Sequence, residues 1–257
     1  MTAAGGRMPS VSVCFPAYNE EGTIAGVLEE AHGLLSPSGL DYEILVCNDG
    51  STDRTGAIID EVCARLPRAR VIHHERNQGI RGTFEHLYGS AVKEFVFLNS
   101  TDRQWQTRVL FDLLPLTSSW DVVIAARTRK HYGARRRFVS WAFNVVPRLL
   151  FGVRTADAGA VKIVRREIIT RFELVSRSPF NEAERLIRAA RAGYRITAVP
   201  TGTLPRQRGR ARGLSPRLLA DAVADVARVW WAVRAPSGRP APVPARPPAE
   251  SSHADRR

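Results

Sequence analysis

The chain has 257 residues, of which 44% are hydrophobic, and its 38 Lys and Arg against 25 Asp and Glu give a formal net charge of +13. This length and composition exclude a mainly disordered chain and support one substantial α/β domain with a buried core. The charge favours anionic partners such as nucleotides, phosphates and acidic lipid surfaces. Nucleic acid is not favoured as a partner, because the sequence has no nucleic-acid-binding motif.

The cysteines and the start of the chain bear on the cellular compartment. Cys14, Cys47 and Cys63 have no metal-ligand spacing, which is typical of a reduced, cytoplasmic protein. Residues 1–10 lack an apolar stretch, and the sequence has no run of about 18 apolar residues. We therefore expect neither a secretory signal nor a membrane-spanning helix.

The first fifty residues predict a strand, a helix and a second strand. Val11 to Phe15 and Tyr42 to Cys47 are short apolar runs of the kind found in buried parallel strands. Between them, Glu20 to Leu35 carries apolar residues at helical spacing. This order of elements is a βαβ unit.

The alternation of strands and helices then continues along the chain. Helices are predicted at Asp53 to Leu66 and Gly82 to Lys93, and strands at Arg70 to His73, Phe95 to Leu98 and Asp121 to Ala125. The pattern predicts an α/β fold with a doubly wound, mostly parallel sheet flanked by helices. Ligands are expected at the carboxyl ends of the strands.

Two amphipathic stretches follow in the second half of the chain. Arg137 to Val153 is rich in Trp, Phe, Val and Leu, so it is either ordinary core or a surface that meets lipid or an amphipathic acceptor. Leu214 to Arg234 begins with Ser215 and Pro216 in the N-cap and N1 positions of a helix. We therefore expect a flexible start at residues 1–10, a folded domain at 11–213, an amphipathic helix at 214–235 and a disordered, basic, proline-rich tail at 236–257.

Polar motifs follow the first two predicted strands, with PAYNE at residues 16–20 and NDGSTD at residues 48–53. Tyr18 and Glu20 can meet a base and a ribose, and Asp49 can accept a hydrogen bond from either. Both motifs are also compatible with plain turns, in which Asn19 caps the next helix and Gly50 adopts a positive φ.

The predicted strand FVFL is followed by NSTDRQW at residues 99–105. A hard divalent cation that bridges two phosphates needs oxygen ligands, and the Asp102 carboxylate and the Gln104 amide can supply them. Without the other motifs, the same segment would be interpreted as an exposed loop.

Together with NQGIRG at residues 77–82, these strand ends closely resemble the family 2 glycosyltransferases, whose donor-binding half has the GT-A fold. In that family the first strand is followed by P-x-Y-N-E, the second by D-D-G-S, and the fourth by a D-x-D triplet and, one residue later, Gln. This chain has PAYNE, NDGS, and STD with Gln104. The resemblance covers about Val11 to Gly213 and is greatest to the branch that loads sugars onto polyprenyl phosphates, such as dolichol-phosphate mannose synthase.

The resemblance implies a mixed, mostly parallel sheet and transfer of a hexosyl group from a UDP- or GDP-sugar to a polyprenyl phosphate, with inversion. It implies Mg²⁺ or Mn²⁺ as cofactor, held by Asp102 and Gln104. A basic hairpin is implied at Lys162 to Glu167 and an acidic helix within Phe180 to Ile196. The implied catalytic residues are Asp102, Arg127, Glu182 and Glu184. The implied donor-binding residues are Pro16, Tyr18, Glu20, Cys47, Asp49, Thr101, Asp102, Arg127, Arg206 and Arg210.

Ser100 and Asn48 stand where the family has acids, so weaker binding of the metal is expected. One alternative is a soluble glycosyltransferase that modifies a hydroxyl of a small molecule or glycan, with Glu184 or Glu182 as the base. Another is a catalytically silent protein that binds nucleotide-sugars or nucleic acid. The two acids can also be exposed partners of Arg185 or Arg188. The basic charge and the amphipathic stretches further predict a peripheral position at the cytoplasmic face of a membrane.

Overall fold

The computed structural model describes residues 8–101, 103–128, 145–153, 157–204 and 216–234. Asp102, Arg206 and Arg210 lie outside the described residues. The same holds for most of the predicted flexible start, for residues 137–144 of the first amphipathic stretch and for the predicted tail at residues 236–257.

The strands of the described chain form one sheet in the order β3-β2-β1-β4-β6-β5-β7. β1 to β4 run parallel, β6 is antiparallel to its neighbours β4 and β5, and β7 is parallel to β5. The predicted mixed, mostly parallel sheet is therefore confirmed. The bounds are β1 Val11–Ala17, β2 Tyr42–Asn48, β3 Ala69–His73, β4 Phe95–Leu98, β5 Val122–Arg127, β6 Lys162–Arg165 and β7 Ile196–Thr201.

Helices lie between most of these strands and bury their apolar stripes against the sheet. On α1 the buried residues recur at the three- and four-residue spacing of a helical face, and every residue of β2 is buried, as in a strand covered on both sides. The helices are α1 Ile24–Leu35, α2 Thr55–Arg65, α3 Gly79–Ser90, α4 Val109–Leu113, α5 Arg166–Arg171, α6 Asn181–Arg191 and α7 Pro216–Ala232, with 3₁₀ turns at Ser36–Ser38 and Leu114–Ser118. Residues 145–151 are also helical.

Two helices begin three or more residues away from their predicted first residue. α1 begins at Ile24 rather than Glu20, because a turn over residues 20–23 precedes it. α3 begins at Gly79 rather than Gly82, because the Asp49 carboxylate accepts the amides of Gln78 and Gly79 and so anchors an earlier first turn.

The predicted basic hairpin at Lys162 to Glu167 is wrong. Lys162–Arg165 is a single strand, β6, inserted between β4 and β5, where Lys162 lies opposite both Leu98 and Ile124. The chain then turns directly into α5 at Arg166. A strand that bonds to neighbours on both sides needs no hairpin partner of its own.

The register brings the ends of the parallel strands to one edge of the sheet. Ala17 of β1 lies opposite Asn48 of β2, and Cys14 of β1 lies opposite Leu98 of β4. The segments that follow β1, β2 and β4 therefore meet at the carboxyl edge, where ligands bind in open α/β sheets.

The predicted amphipathic helix near the end of the chain is present as α7, which begins at Pro216. It packs Ala222, Asp225 and Val229 inward and leaves Val223 and Trp231 exposed. None of the helices in the described ranges is long and apolar enough to cross a membrane.

Candidate active site

The segments after β1 and β2 are hydrogen-bonded to each other. The Asn19 amide donates to the Ser51 hydroxyl at 3.0 Å, and the Asn19 side chain accepts the Thr52 amide at 2.9 Å. Asn19 has a φ of 55°, and its side chain does not cap α1. The plain-turn interpretation of PAYNE is therefore wrong on this point, since Asn19 fastens two strand ends together.

The end of β4 is attached to the end of β1. The Thr101 hydroxyl donates to the Pro16 carbonyl at 3.1 Å, and Thr101 itself is buried. Three residues on, the Gln104 carbonyl accepts the Leu204 amide at 3.0 Å, which places the segment after β7 beside the same loop. Thr101 is thus held by β1, and Gln104 is held by the segment after β7.

Asp49 is a buried anchor for the start of α3. Its carboxylate accepts the amides of Gln78 at 2.8 Å and Gly79 at 3.0 Å, and Oδ1 lies 2.7 Å from Nδ1 of His74. A carboxylate is favourable at a helix N-terminus, where unpaired amides and the helix dipole are both positive. Asp49 therefore holds the NQGIRG segment against the end of β2.

Cys47 lies below this anchor rather than on the surface of the edge. It is fully buried, with Sγ 3.5 Å from Nε2 of His74. Burial and the neighbouring Asp49 charge raise the pKa of the Cys47 thiol to about 12, so the thiol stays neutral near pH 7.

Both polar atoms of the Asn48 side chain have hydrogen-bond partners. Nδ2 of Asn48 lies 3.0 Å from Nδ1 of His73, whose Nε2 lies 2.9 Å from the Asp60 carboxylate, and Oδ1 accepts the Ser51 amide at 3.1 Å. Because the amide nitrogen donates, Nδ1 of His73 can accept while its Nε2–H donates to Asp60. Asn48 is therefore a fitted part of the turn.

Arg127 ends β5 and is held by a residue that the sequence analysis does not single out. Its guanidinium makes a bidentate pair with Asp157, with Nε to Oδ2 at 2.8 Å and Nη2 to Oδ1 at 3.2 Å. The ring of Trp105 lies 6.0 Å from the guanidinium carbon. Such a pair fixes the plane of the guanidinium as well as its position.

Glu182 lies in a buried ion-pair network. Its carboxylate accepts Lys162 Nζ at 2.7 Å and the Tyr88 hydroxyl at 3.1 Å, and Arg185 lies 3.8 Å away. Burial alone raises the pKa of Glu182, but the charges of Lys162 and Arg185 and these hydrogen bonds outweigh it, so the pKa lies below its ordinary value.

Glu184 is fully buried and holds the loop before α6. Its carboxylate accepts the amides of Val175 at 3.0 Å and Ser176 at 2.8 Å, and Nε of Arg188 at 2.7 Å. The interpretation of Glu182 and Glu184 as exposed acids is wrong, although the pairs with Arg185 and Arg188 do form.

The structure thus brings together part of the predicted site. Pro16, Tyr18, Glu20, Asp49 and Thr101 share the carboxyl edge of β1, β2 and β4. Cys47 lies beneath this edge, Arg127 lies at the end of β5, and Glu182 and Glu184 lie in the first turn of α6. Asp102, Arg206 and Arg210 lie outside the described residues.

Replacing Gly50 by alanine is expected to lower the free energy of unfolding by at least about 3 kcal/mol. Gly50 has a φ of +65°, and a Cβ there would lie 2.6 Å from the carbonyl carbon of Arg76 and from the amide nitrogen of Asn77. Gly39→Ala is the matched control, because its φ is +72° but a Cβ meets nothing within 4 Å. Urea unfolding that gives equal losses for both variants would contradict the predicted overlap.

Comparison with known proteins agrees with this geometry. Residues 12–183 match the family model described as Glycosyl transferase family 2. The chain is 29% identical over 244 residues to Glycosyltransferase AglD of Haloferax volcanii. The alignment covers 90% of this chain and 38% of that protein. It is 25% identical over 236 residues to Undecaprenyl-phosphate mannosyltransferase of Micrococcus luteus. That alignment covers 87% of this chain and 95% of the relative.

Solved structures show the same fold. Glucosyl-3-phosphoglycerate synthase from Mycobacterium tuberculosis, in complex with Mn²⁺, UDP and phosphoglyceric acid, has a TM-score of 0.68 at 20% identity, over 86% of this chain and 78% of that one. Mannosyltransferase PcManGT from Pyrobaculum calidifontis, in complex with GDP-Man and Mn²⁺, has a TM-score of 0.62 at 17% identity. The superposition covers 86% of this chain and 65% of that one. The strand ends, their register and the match over residues 12–183 confirm the predicted fold and resemblance, and the chain belongs to glycosyl transferase family 2.

Proposed function

We propose that residues 11–213 transfer a hexosyl group from a UDP- or GDP-sugar to a polyprenyl phosphate, with inversion, and that residues 214–235 support this domain. The observation that carries the proposal is that hydrogen bonds join the ends of β1, β2 and β4. The Thr101 hydroxyl, next to Asp102 in the sequence, bonds to Pro16, and the Asn19 amide bonds to Ser51. The Undecaprenyl-phosphate mannosyltransferase relative, whose length the chain almost spans, supports a lipid phosphate acceptor.

The oxygen chemistry at the end of β4 fits a hard divalent cation. Asp102 and the Gln104 amide would hold Mg²⁺ or Mn²⁺, and fold neighbours are complexed with these ions. When bound, such a cation neutralises charge on the diphosphate as the bond from sugar to phosphate breaks. Arg127 would stabilise the same charge from a side chain that Asp157 already orients, and Arg206 and Arg210 are proposed to add further positive charge.

The placement of the two acids on α6 favours a phosphate acceptor over a hydroxyl acceptor. A hydroxyl needs a base to take its proton, whereas a phosphate monoester is already ionised near pH 7. Glu184 is fully buried among its donors, and the pKa of Glu182 is lowered by Lys162 and Arg185 against the effect of burial. Both carboxylates are poor candidates for that base.

Release of nucleoside diphosphate tests the proposal. The native chain is incubated with a panel of UDP- and GDP-sugars, with Mg²⁺, Mn²⁺ or EDTA, and with or without farnesyl phosphate. We expect release that needs both a divalent cation and farnesyl phosphate. Release that depends instead on a hydroxyl acceptor would replace the proposal with the soluble transferase, and donor binding without release would indicate a silent protein.

Replacing Ser100 by aspartate is expected to lower the Mn²⁺ concentration for half-maximal activity by roughly tenfold. The variant restores the first acid of the triplet two residues before Asp102, at a position that is half-buried at the end of β4. Ser118→Asp, on the exposed 3₁₀ turn, is the control for added negative charge. An unchanged metal requirement in Ser100→Asp would contradict the proposed metal position.

We also propose a peripheral position at the cytoplasmic face of a membrane. Val223 and Trp231 are 72% and 70% exposed on α7, and the chain carries a net charge of +13. Each basic residue near an anionic surface contributes about 1 kcal/mol. Flotation with liposomes that contain phosphatidylglycerol should recover the protein, and recovery no greater than with neutral liposomes would remove this proposal.

A further inference from the structure

An open groove of about 860 Å³ lies between α3, the loop before α6 and α7. Its lining divides evenly into guanidinium groups and apolar side chains. The residues are Arg81, Arg177 and Arg228 on the basic side and Leu174, Val175 and Trp231 on the apolar side.

The basic side of the groove lacks matching acids within the described part of the chain. Nε of Arg81 is buried and has no hydrogen-bond partner there, and the Arg177 side chain makes no ion pair there. Arg228 pairs with Asp225, with Nη1 to Oδ1 at 2.5 Å. Three cations thus share one carboxylate, which leaves a net positive groove that suits an anion.

The walls of this groove are held in place by two buried carboxylates. Four consecutive amides in the loop before α6 donate to them, those of residues 175 and 176 to Glu184 and those of residues 177 and 178 to Asp225. Asp225 also binds Arg228, so one carboxylate positions both the backbone at Arg177 and the Arg228 side chain. A site ordered before binding loses less entropy when a ligand enters.

The apolar side is accessible as well. Val175 is 38% exposed and Trp231 is 70% exposed, while Leu174 is half-buried against the core. Hydrocarbon surface next to a net positive charge matches a ligand with an anionic head and an apolar chain. A tryptophan is suited to such a place, because it offers a large apolar ring and a polar N–H.

One wall of the groove begins at the carboxyl edge of the sheet. Arg81 lies in the first turn of α3, two residues after Gly79, whose amide is bound by Asp49 at the end of β2. Glu184, which holds one side of the loop, lies in the first turn of α6. A ligand here would be close to the carboxyl ends of the strands.

We propose that this groove binds the acceptor, with the phosphate on Arg81, Arg177 and Arg228 and the first isoprenoid units on Leu174, Val175 and Trp231. This inference rests on the proposed function, because it names the residues that recognise the lipid phosphate. It assigns Glu184 and Asp225 to positioning the groove.

Binding and kinetics of the full chain with farnesyl phosphate test the assignment. The first variant is Arg177→Gln, because the native Arg177 side chain is exposed and makes no ion pair within the described ranges. We expect Arg177→Gln and Arg228→Gln each to weaken farnesyl phosphate binding and raise its KM by about tenfold, with the donor KM unchanged. Trp231→Ala should weaken binding of farnesyl phosphate but not that of inorganic phosphate.

Matched controls separate the groove from the general surface. Arg65→Gln on α2 removes an exposed arginine elsewhere, and Val92→Ala trims an exposed apolar side chain after α3, outside the groove. Both should leave farnesyl phosphate binding unchanged. The assignment would be overturned if the protein bound phosphatidylglycerol vesicles as tightly as farnesyl phosphate. It would also be overturned if the groove variants raised the donor KM instead of the acceptor KM.

The assignment and the proposed function fail in different ways. Turnover with farnesyl phosphate that is unaffected in Arg177→Gln and Arg228→Gln would reject the groove and leave the function in place. Farnesyl phosphate that binds the native groove but is never glycosylated, with every donor tested, would reject the function.

Discussion

Replacing Asp102 by asparagine is expected to lower kcat by at least about 100-fold, equivalent to about 2.7 kcal/mol of transition-state stabilisation. Asp102 is the only carboxylate of the STD triplet, because Ser100 occupies the other acidic position. No second carboxylate of the motif can therefore take over the charge lost. The measurement is the rate of nucleoside diphosphate release at saturating donor and acceptor, with Mn²⁺.

Asp41→Asn is the matched control for this variant. Asp41 precedes β2 at the opposite edge of the sheet, where its exposed carboxylate binds Lys93 at 2.6 Å. It makes the same chemical change far from the strand ends and should leave kcat unchanged. A kcat for Asp102→Asn within a few-fold of the native value would reject the metal site at the end of β4.

Replacing Glu182 by alanine is expected to lower the free energy of unfolding by about 3 to 5 kcal/mol. The substitution leaves Lys162, only 4% exposed, without its carboxylate and removes the acceptor of the Tyr88 hydroxyl. Arg185 keeps a partner, because it also binds Glu85 at 2.7 Å. Urea unfolding near pH 7 measures the loss.

Two comparisons check that the loss comes from the unpaired charge. The double variant Glu182→Leu with Lys162→Met should be more stable than Glu182→Ala alone, since removing both partners leaves no buried charge. Glu61→Ala breaks an exposed pair with Arg65 and should change stability far less. A double variant less stable than Glu182→Ala would contradict the role given to Lys162.

The ion pair of Glu182 with Lys162 makes the free energy of unfolding depend on pH in the acid range. The folded-state pKa of Glu182 is depressed, so its contribution is fully present above the unfolded pKa of about 4.3 and is lost as the pH falls towards the folded value. Glu182→Ala should therefore lose less stability than the native chain between neutral pH and about pH 3. An equally steep loss in both proteins would show that other carboxylates account for the acid dependence.

Much of the sheet could be predicted from the sequence, because buried parallel strands appear as apolar runs. The runs at β1, β2 and β4 are within two residues of their bounds. The insertion of β6 between β4 and β5 could not be predicted, since a four-residue strand carries no signal of its neighbours. The start of α3 was misplaced because it depends on Asp49, about thirty residues earlier in the chain.

The candidate site was predicted from its motifs, but the partners of its residues were not. Asp157, which orients Arg127, lies among small residues shortly after the first amphipathic stretch. The one feature of the sequence that marks Asp157 is its place as an acid just before a buried strand. Asp225 is one of two acids on an amphipathic helix, and its bonds to the loop before α6 depend on tertiary packing. Pairs so distant in sequence leave no local pattern.

Mass spectrometry of the lipid product shows directly whether a hexosyl group is transferred to the lipid phosphate. The native chain is incubated with farnesyl phosphate, Mn²⁺ and each UDP- or GDP-sugar, beside Asp102→Asn and a parallel incubation with farnesol. We expect farnesyl phosphate carrying one added hexosyl residue, formed only by the native chain, and no glycosylated farnesol. A hexosyl residue on farnesol, or a donor that binds without yielding any glycosylated lipid, would contradict it.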